Sequence, residues 1–211
     1  LANIKAHLEA VDDGVTDWNT ETRSLVLAEI DHLGRLAGDL NEVSRAEEGR
    51  VSMDAHDQPI GEIVRDVVDN QRPRYLSKAI SLRIEGTGDT IVRVDPIRIG
   101  QALNNLLNNA LRHTPGGGTV TIRIQDLAPP QVSVEVTDTG DGISADQLPH
   151  VFDRFYRGDA SRARDAAGSG VGLTIARALV EAHGGTLRAS SAGPGRGAAF
   201  TLTLPRSRAE G

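Results

Sequence analysis

The chain has 211 residues, a formal charge of −6 and no cysteine. That composition excludes a disulfide framework and any thiolate metal site, and the acidic balance weighs against nucleic acid as a main partner. No apolar run approaches the length of a membrane span and no signal-peptide pattern is present, so this segment is expected to make no direct membrane contact.

The length suits one medium domain with an accessory element. Leu1 opens straight into a helical pattern without an initiator methionine, which points to a piece of a longer protein. Ile4, Leu8 and Val11 recur at helical spacing and predict a helix over residues 1 to about 17, weakened at Asp12-Asp13-Gly14. Trp18-Asn19-Thr20 reads as a turn. A longer helix is expected from near Thr20 to Glu48, where Val26, Ile30, Leu33, Ala37 and Leu40 form a heptad seam and Gly49 is a plausible stop. Gly34 and Gly38 each weaken that helix by ~1 kcal/mol relative to alanine, so it depends on partners. Two helices bury little alone. Residues 1–50 are therefore expected to form a helical hairpin that pairs with a second copy as a dimeric four-helix bundle.

A second region starts near Val51. Ile60, Ile63, Val64, Val67 and Val68 mark an amphipathic helix introduced by Asp57 and Pro59. Ile80, Leu82 and Ile84 alternate with polar residues as in a half-buried strand, and Ile91 to Val94 reads as a short one. Asp95 and Pro96 supply an N-cap and a first-turn proline for the next helix, which Thr114-Pro115-Gly116 ends. Alternating strands follow around Val120, Ile122, Ile124 and around Val132, Val134, Val136. Residues 144–170 are polar and arginine-rich, a loop; Val171 to His183 is helical; a closing strand pair is expected at Thr186 to Ala189 and Ala199 to Leu204. Clean alternation means one wet sheet face. The expected fold is α+β, a hairpin followed by a sandwich with helices on one face of a mostly antiparallel sheet.

Four segments carry chemistry. The first is Asn105 to Thr114. Asn105 and Asn109 share a helix face, joined one turn later by Arg112, while Leu103, Leu106, Leu107 and Ala110 fall opposite. Asparagine is a poor helix former, and Asn104, Asn105, Asn108 and Asn109 crowd into one short stretch. A solvated face would carry Glu, Lys or Arg instead. Amide oxygens suit a hard cation and arginine suits phosphate, so a magnesium nucleotide fits this face. The second is Asp138-Thr139-Gly140-Asp141-Gly142-Ile143 at a strand end. It is either a tight turn or a pocket in which the Asp138 carboxylate accepts from the exocyclic amine of adenine, with the glycines admitting the base. The third, Gly168-Ser169-Gly170-Val171-Gly172-Leu173, opens a helix. It reads either as a hinge or as a phosphate cradle of bare backbone N–H groups, and it matches neither a dinucleotide fingerprint nor a Walker A loop. The fourth, Phe152-Asp153-Arg154-Phe155-Tyr156-Arg157, concentrates aromatics in an aromatic-poor chain; they are expected to anchor the loop while Arg154 and Arg157 face phosphate or solvent.

Taken in chain order, with Phe152 to Arg157 between the Asp138 and Gly168 segments, the four segments resemble the ATP-binding domain of sensor histidine kinases, of the Bergerat fold shared with gyrase, Hsp90 and MutL. The asparagine segment resembles the N box, Asp138 to Ile143 the G1 box, Phe152 to Arg157 the F box and Gly168 to Leu173 the G2 box. The hairpin at 1–50 resembles the dimerisation and histidine-phosphotransfer domain, which leaves 51–211 as the catalytic domain. The resemblance implies ATP and Mg²⁺ as ligands. It assigns Asn109 to the metal, Asn105 to the phosphates or metal, and Arg112 and His113 to the phosphate chain, with Asn105, Asn109 and Arg112 as the catalytic set. Asp138 would read adenine, Gly140, Gly142 and Ile143 would line the base, and 144–170 would be the lid. Arg157, Gly168, Ser169, Gly170, Val171, Gly172 and Leu173 would lie toward the phosphates. It also implies a homodimer through 1–50, a response-regulator receiver domain as partner, and a cytoplasmic portion of a membrane-anchored protein.

Two departures stand out. Where the family usually has threonine after Gly195-Arg196-Gly197, this chain has Ala198. The family's acceptor motif, His-Glu-x-x-x-Pro, is matched by none of the six histidines, so this chain is not expected to phosphorylate itself on histidine. Two other readings share the domain: an ATPase that hydrolyses ATP to drive a clamp, and a serine-kinase anti-sigma factor. Hydrolytic relatives carry glutamate at the position of Asn105, and an amide cannot take a proton from water.

Overall fold

The computed structural model describes residues 2–20, 22–24, 26–27, 30, 34, 53–128, 130–156 and 170–207. Helix α1 spans Ala2–Asp12 and is shorter than the 1–17 expected. It stops because Gly14 turns to φ +69°, with the Asp13 and Gly14 N–H groups closing on the Glu9 and Val11 carbonyls. Helical backbone resumes at Thr20 behind an Asn19 cap, whose Oδ1 accepts from Thr22 N at 2.9 Å. Of the heptad seam, Val26 is buried and Ile30 exposed. Leu33, Ala37, Leu40 and Gly49 lie outside the described residues, as does Gly38.

The second region runs β1 (His56–Pro59), α2 (Ile60–Ser77), β2 (Ser81–Glu85), β3 (Ile91–Val94), α3 (Pro96–His113), β4 (Thr119–Asp126), β5 (Gln131–Asp138), α4 (Gly172–Ala182), β6 (Thr186–Ser190) and β7 (Ala199–Pro205). The strands at 81–85, 119–126 and 131–138 sit where hydrophobic alternation places them, and those at 91–94, 186–190 and 199–205 fall on the other expected strand segments. Strand β1 is not foreshadowed, since His-Asp-Gln-Pro has no strand pattern. It exists by pairing antiparallel with β3, His56 opposite Val94 and Pro59 opposite Ile91.

The main sheet has the order β2-β4-β5-β7-β6. Only β2 and β4 run parallel; β4–β5, β5–β7 and β7–β6 are antiparallel. Val120 and Ile122 of β4, Val132, Val134 and Val136 of β5, and Phe200, Leu202 and Leu204 of β7 form one buried face with the apolar sides of α2, α3 and α4. The other face is polar. There Arg123 bridges Glu85 at 2.8 Å and Glu135 at 3.5 Å, and Thr201 donates to Glu135. The expected sandwich is therefore present, with one wet face.

Helices α2 and α3 are clamped by specific bonds. Tyr75, fully buried, donates its hydroxyl to the Leu107 carbonyl at 2.7 Å. Burial pushes its phenol well above the ordinary tyrosine value, and the nearby Asp138 charge adds to the rise. Lys78 Nζ donates to the Leu111 carbonyl at 2.6 Å and so caps the last turn of α3.

Candidate functional site

Helix α3 is held at both ends. Asp95 Oδ1 accepts from Ile97 N at 3.0 Å and Arg98 N at 3.2 Å, with Pro96 in the first turn. Leu103, Leu106, Leu107 and Ala110 are buried against the sheet, leaving the amide flanks for other partners. The four asparagines divide. Asn104 and Asn108 turn toward α2, where Gln71 Nε2 donates to their Oδ1 atoms at 2.9 and 3.3 Å, and Arg74 donates to Asn108 at 2.5 Å. Their place in the helix is explained by interhelical hydrogen bonding. Asn105, Asn109 and Arg112 lie half-buried at spacings of four and three along a separate flank.

One end of that flank meets β5. Asp138 ends the strand, 4% exposed, and its Oδ1 accepts from Gly140 N at 2.8 Å and Ala198 N at 3.3 Å. Oδ2 accepts from none of the described residues. Burial raises the carboxyl above its ordinary value; the two backbone N–H groups and the neighbouring His113 offset part of the rise, and Asp141 adds to it. The loop after Asp138 lies on the end of α3: Asp141 N donates to the His113 carbonyl at 3.1 Å, and His113 Nδ1 stands 3.4 Å from Asp141 Oδ2.

The other side of that loop is a second loop, 191–198, that sequence reasoning left out of the site. Gly195 N donates to Asp141 O at 2.6 Å and Gly197 N to Gly140 O at 3.2 Å. Ile143 N donates to Ser191 Oγ at 3.0 Å. Two positions admit only glycine. Gly142 (φ +70°) and Gly197 (φ +68°) are left-handed, and a Cβ would stand 2.2 Å from Gly193 O and 1.9 Å from Asp138 O respectively. The sequence signal for it is the alternation Gly193, Gly195, Gly197 after Ser191, and at Ala198 it is the backbone N–H that binds Asp138.

The opposite end of the α3 flank meets α4. A Cβ on Gly172 would stand 3.5 Å from Asn105 Oδ1. Val171 caps α4 without a side-chain hydrogen bond, so the positive pole of that helix lies beside Asn105. Leu173 is half-buried against the core. The two meeting points, at Asn105 and His113, are about 12 Å apart along the axis of α3. Asn109 and Arg112 lie between them.

The aromatic segment is split. Phe152 packs edge-on to Phe200 with centroids 6.3 Å apart, Arg177 lies 5.6 Å over its ring, and its carbonyl accepts from Thr174 Oγ1 at 2.8 Å. Phe155 does not pack as expected: it is 59% exposed and holds φ +61°. Its backbone N–H donates to Gly170 O at 2.9 Å, which brings the two ends of the intervening stretch together. Arg157, Gly168 and Ser169 lie outside the described residues.

The donor set fits a magnesium nucleotide. Asp138 presents an open acceptor in a desolvated position, Asn105 and Asn109 present amides, and the start of α4 lies beside Asn105. Among the described residues no three of His, Asp and Glu gather as a metal cage.

Residues 94–208 match the family described as Histidine kinase-, DNA gyrase B-, and HSP90-like ATPase, and the chain belongs to that family. The chain is 34% identical over 208 residues to the signal transduction histidine-protein kinase BaeS of Escherichia coli, covering 99% of this chain and 44% of BaeS. It is 31% identical over 213 residues to the sensor protein SrrB of Staphylococcus aureus, covering 98% of this chain and 36% of SrrB. It thus spans less than half the length of both curated relatives. The solved structure of Acinetobacter baumannii histidine kinase AdeS shares the fold, with a TM-score of 0.81, 21% identity, and coverage of 98% of this chain and 95% of that one. Within the family, then, the chain carries the ATP-binding catalytic domain of a two-component sensor histidine kinase.

Proposed function

We infer that the cleft along α3 binds magnesium-ATP, and that the chain passes the γ-phosphoryl group to a histidine for relay to an aspartate of a response-regulator receiver domain. The observation that carries this reading is Asp138. It is a buried carboxylate with one oxygen engaged by the backbone and the other open, joined through Gly140 and Asp141 to the helix that carries Asn109 and Asn105.

In this reading Asp138 Oδ2 accepts from the adenine amine and rejects guanine, which presents an acceptor there. Gly142 and Ile143 bound the base. Arg112 and His113 run beside the phosphates, and Asn109 holds the metal with support from Asn105. When bound, magnesium offsets phosphate charge. The segment Gly170, Val171, Gly172 and Leu173 at the start of α4 faces the terminal phosphates, with Arg157, Gly168 and Ser169 assigned to the same end by sequence. The protein contributes position and charge, which suffices for in-line phosphoryl transfer. Residues 1–50 serve as a partial dimerisation and phosphotransfer hairpin and 51–211 as the catalytic domain, and the whole is a cytoplasmic portion of a membrane-anchored parent. Among the described residues no helix is long and apolar enough to cross a membrane.

Asn105 favours transfer to a histidine over hydrolysis, because an amide cannot activate water and a histidine brings its own base. The test is a pair of proteins incubated with γ-labelled ATP: the 211-residue chain, and the same chain preceded by a His-Glu-x-x-x-Pro helix turn. Acid-labile, base-stable phosphate on the extended protein alone is the expected result. Robust ATP hydrolysis without transfer, abolished in Asn105→Ala, would support the ATPase reading instead.

A further inference from the structure

We propose that Ser191 is a positioning residue for the base pocket, setting the place of Gly142 and Ile143 and through them the preference for adenine. The proposal rests on the nucleotide reading of the cleft. Its basis is the hydrogen bonding of one half-buried hydroxyl. Ser191 Oγ accepts from Ile143 N at 3.0 Å and from Gly193 N at 3.2 Å, and donates to Gly197 O at 2.7 Å. A hydroxyl has one donor and two acceptor sites, so this set uses all of them. A second carbonyl, Gly193 O, stands at 3.4 Å as an alternative acceptor for the same proton.

The bond from Ile143 joins two loops, and the other two brace the loop to which Ser191 itself belongs. Ile143 belongs to the loop leaving Asp138; Gly193 and Gly197 belong to the loop that returns to Ala198. Both loops end on the same atom, Asp138 Oδ1, through Gly140 N at 2.8 Å and Ala198 N at 3.3 Å. Backbone bonds from Gly195 to Asp141 and from Gly197 to Gly140 zip the middle. Beyond Gly142 the zipper has no further backbone rung, and the Ser191 hydroxyl supplies the last one. Only serine or threonine carries a hydroxyl on a stem this short. Alanine leaves the Ile143 N–H unpaired, and a longer polar chain must bend back to reach it.

Ser191 touches no atom assigned to the nucleotide, so it acts through the backbone of Ile143. Removing the hydroxyl frees Gly142 and Ile143 to move away from the base while Asp138 keeps both backbone donors. The effect falls on ground-state binding and base choice, leaving the transfer step at saturation intact.

The experiment compares wild type, Ser191→Ala, Ser191→Thr and Ser133→Ala by titration calorimetry with ATP and with GTP, and by thermal melting. Ser133 of β5 donates to Gln125 O of the neighbouring β4, at the end of β5 away from Asp138, and serves as the control for a lost hydroxyl. In Ser191→Ala the affinity for ATP is expected to fall about tenfold and the ATP-over-GTP ratio to shrink, as the loss of one half-buried hydrogen bond allows. Ser191→Thr restores both. Ser133→Ala changes melting but neither affinity nor ratio. If wild type prefers ATP and Ser191→Ala keeps the same affinity and ratio, the assignment of Ser191 is overturned while the nucleotide reading stands. If wild type binds neither nucleotide, the nucleotide reading itself fails.

Discussion

Gly140 lies directly against His113: a Cβ at Gly140 would stand 2.2 Å from the His113 carbonyl oxygen. That oxygen also accepts from Asp141 N at 3.1 Å, so the end of α3 and the loop after Asp138 are one packed unit of backbone on backbone. The contact sets the angle between the helix bearing Asn105 and Asn109 and the strand bearing Asp138. Gly140→Ala is expected to push the loop off the helix, lowering ATP affinity more than tenfold, with a stability loss of about 1–3 kcal/mol from overpacking. Calorimetry and melting measure the two effects together. A variant with unchanged affinity would show that the loop does not form the pocket.

Asp138→Asn separates binding from stability. The amide oxygen can keep the bonds from Gly140 and Ala198, which leaves an N–H₂ group where adenine would present its own donor. ATP binding is expected to weaken and discrimination against GTP to relax. Without nucleotide the variant is expected to melt no lower than wild type at pH 7, because burial penalises the ionised carboxyl. The sign follows from linkage: the folded-state value is raised, so this group favours the fold below its ordinary carboxyl value, and that contribution is lost as pH rises through the elevated folded value. The melting advantage of the variant should therefore shrink as pH falls through that window, and ATP binding by wild type should weaken over the same range.

The asparagines on opposite flanks of α3 make a paired prediction. Asn104→Ala leaves Gln71 Nε2 with only the 3.3 Å contact to Asn108, so stability should fall by about 1–2 kcal/mol with ATP affinity intact. Asn109→Ala should do the reverse, sparing the melt and costing magnesium-dependent affinity. Equal loss of ATP affinity in both variants would refute this division of the helix.

Ala79 holds φ +55° in the tight connection from α2 to β2, where its carbonyl accepts from Gly117 N at 2.8 Å. A left-handed alanine costs roughly 1–2 kcal/mol that glycine does not incur, partly offset by the greater freedom of glycine in the unfolded chain. Ala79→Gly is expected to raise the melting temperature by about 2–4 °C, as about 1 kcal/mol does in a domain of this size. A lower melting temperature would show that the turn is unstrained.

Much of this was legible before any coordinates. Hydrophobic alternation located β2, β4 and β5 because each has one face on the core, and Asp95-Pro96 announced the start of α3 because capping is local chemistry. What was not legible depends on contacts between distant segments. His56–Pro59 becomes a strand only when β3 lies beside it. The sequence pattern of α3 could not say that Gln71 and Arg74 would claim Asn104 and Asn108, because that depends on how α2 crosses it. The role of the 191–198 loop was hidden for a related reason: beyond its alternating glycines, its contribution is made by backbone groups and one serine hydroxyl.

The central claim is that Asp138 and the α3 flank together form an adenine nucleotide site. Titration of the chain with ATP, with and without magnesium, and with GTP tests it most directly. One nucleotide per chain, tightened by magnesium and preferring ATP over GTP by at least about tenfold, is the outcome this site should give. No heat of binding at millimolar ATP with magnesium, or equal affinity for the two bases, would contradict it.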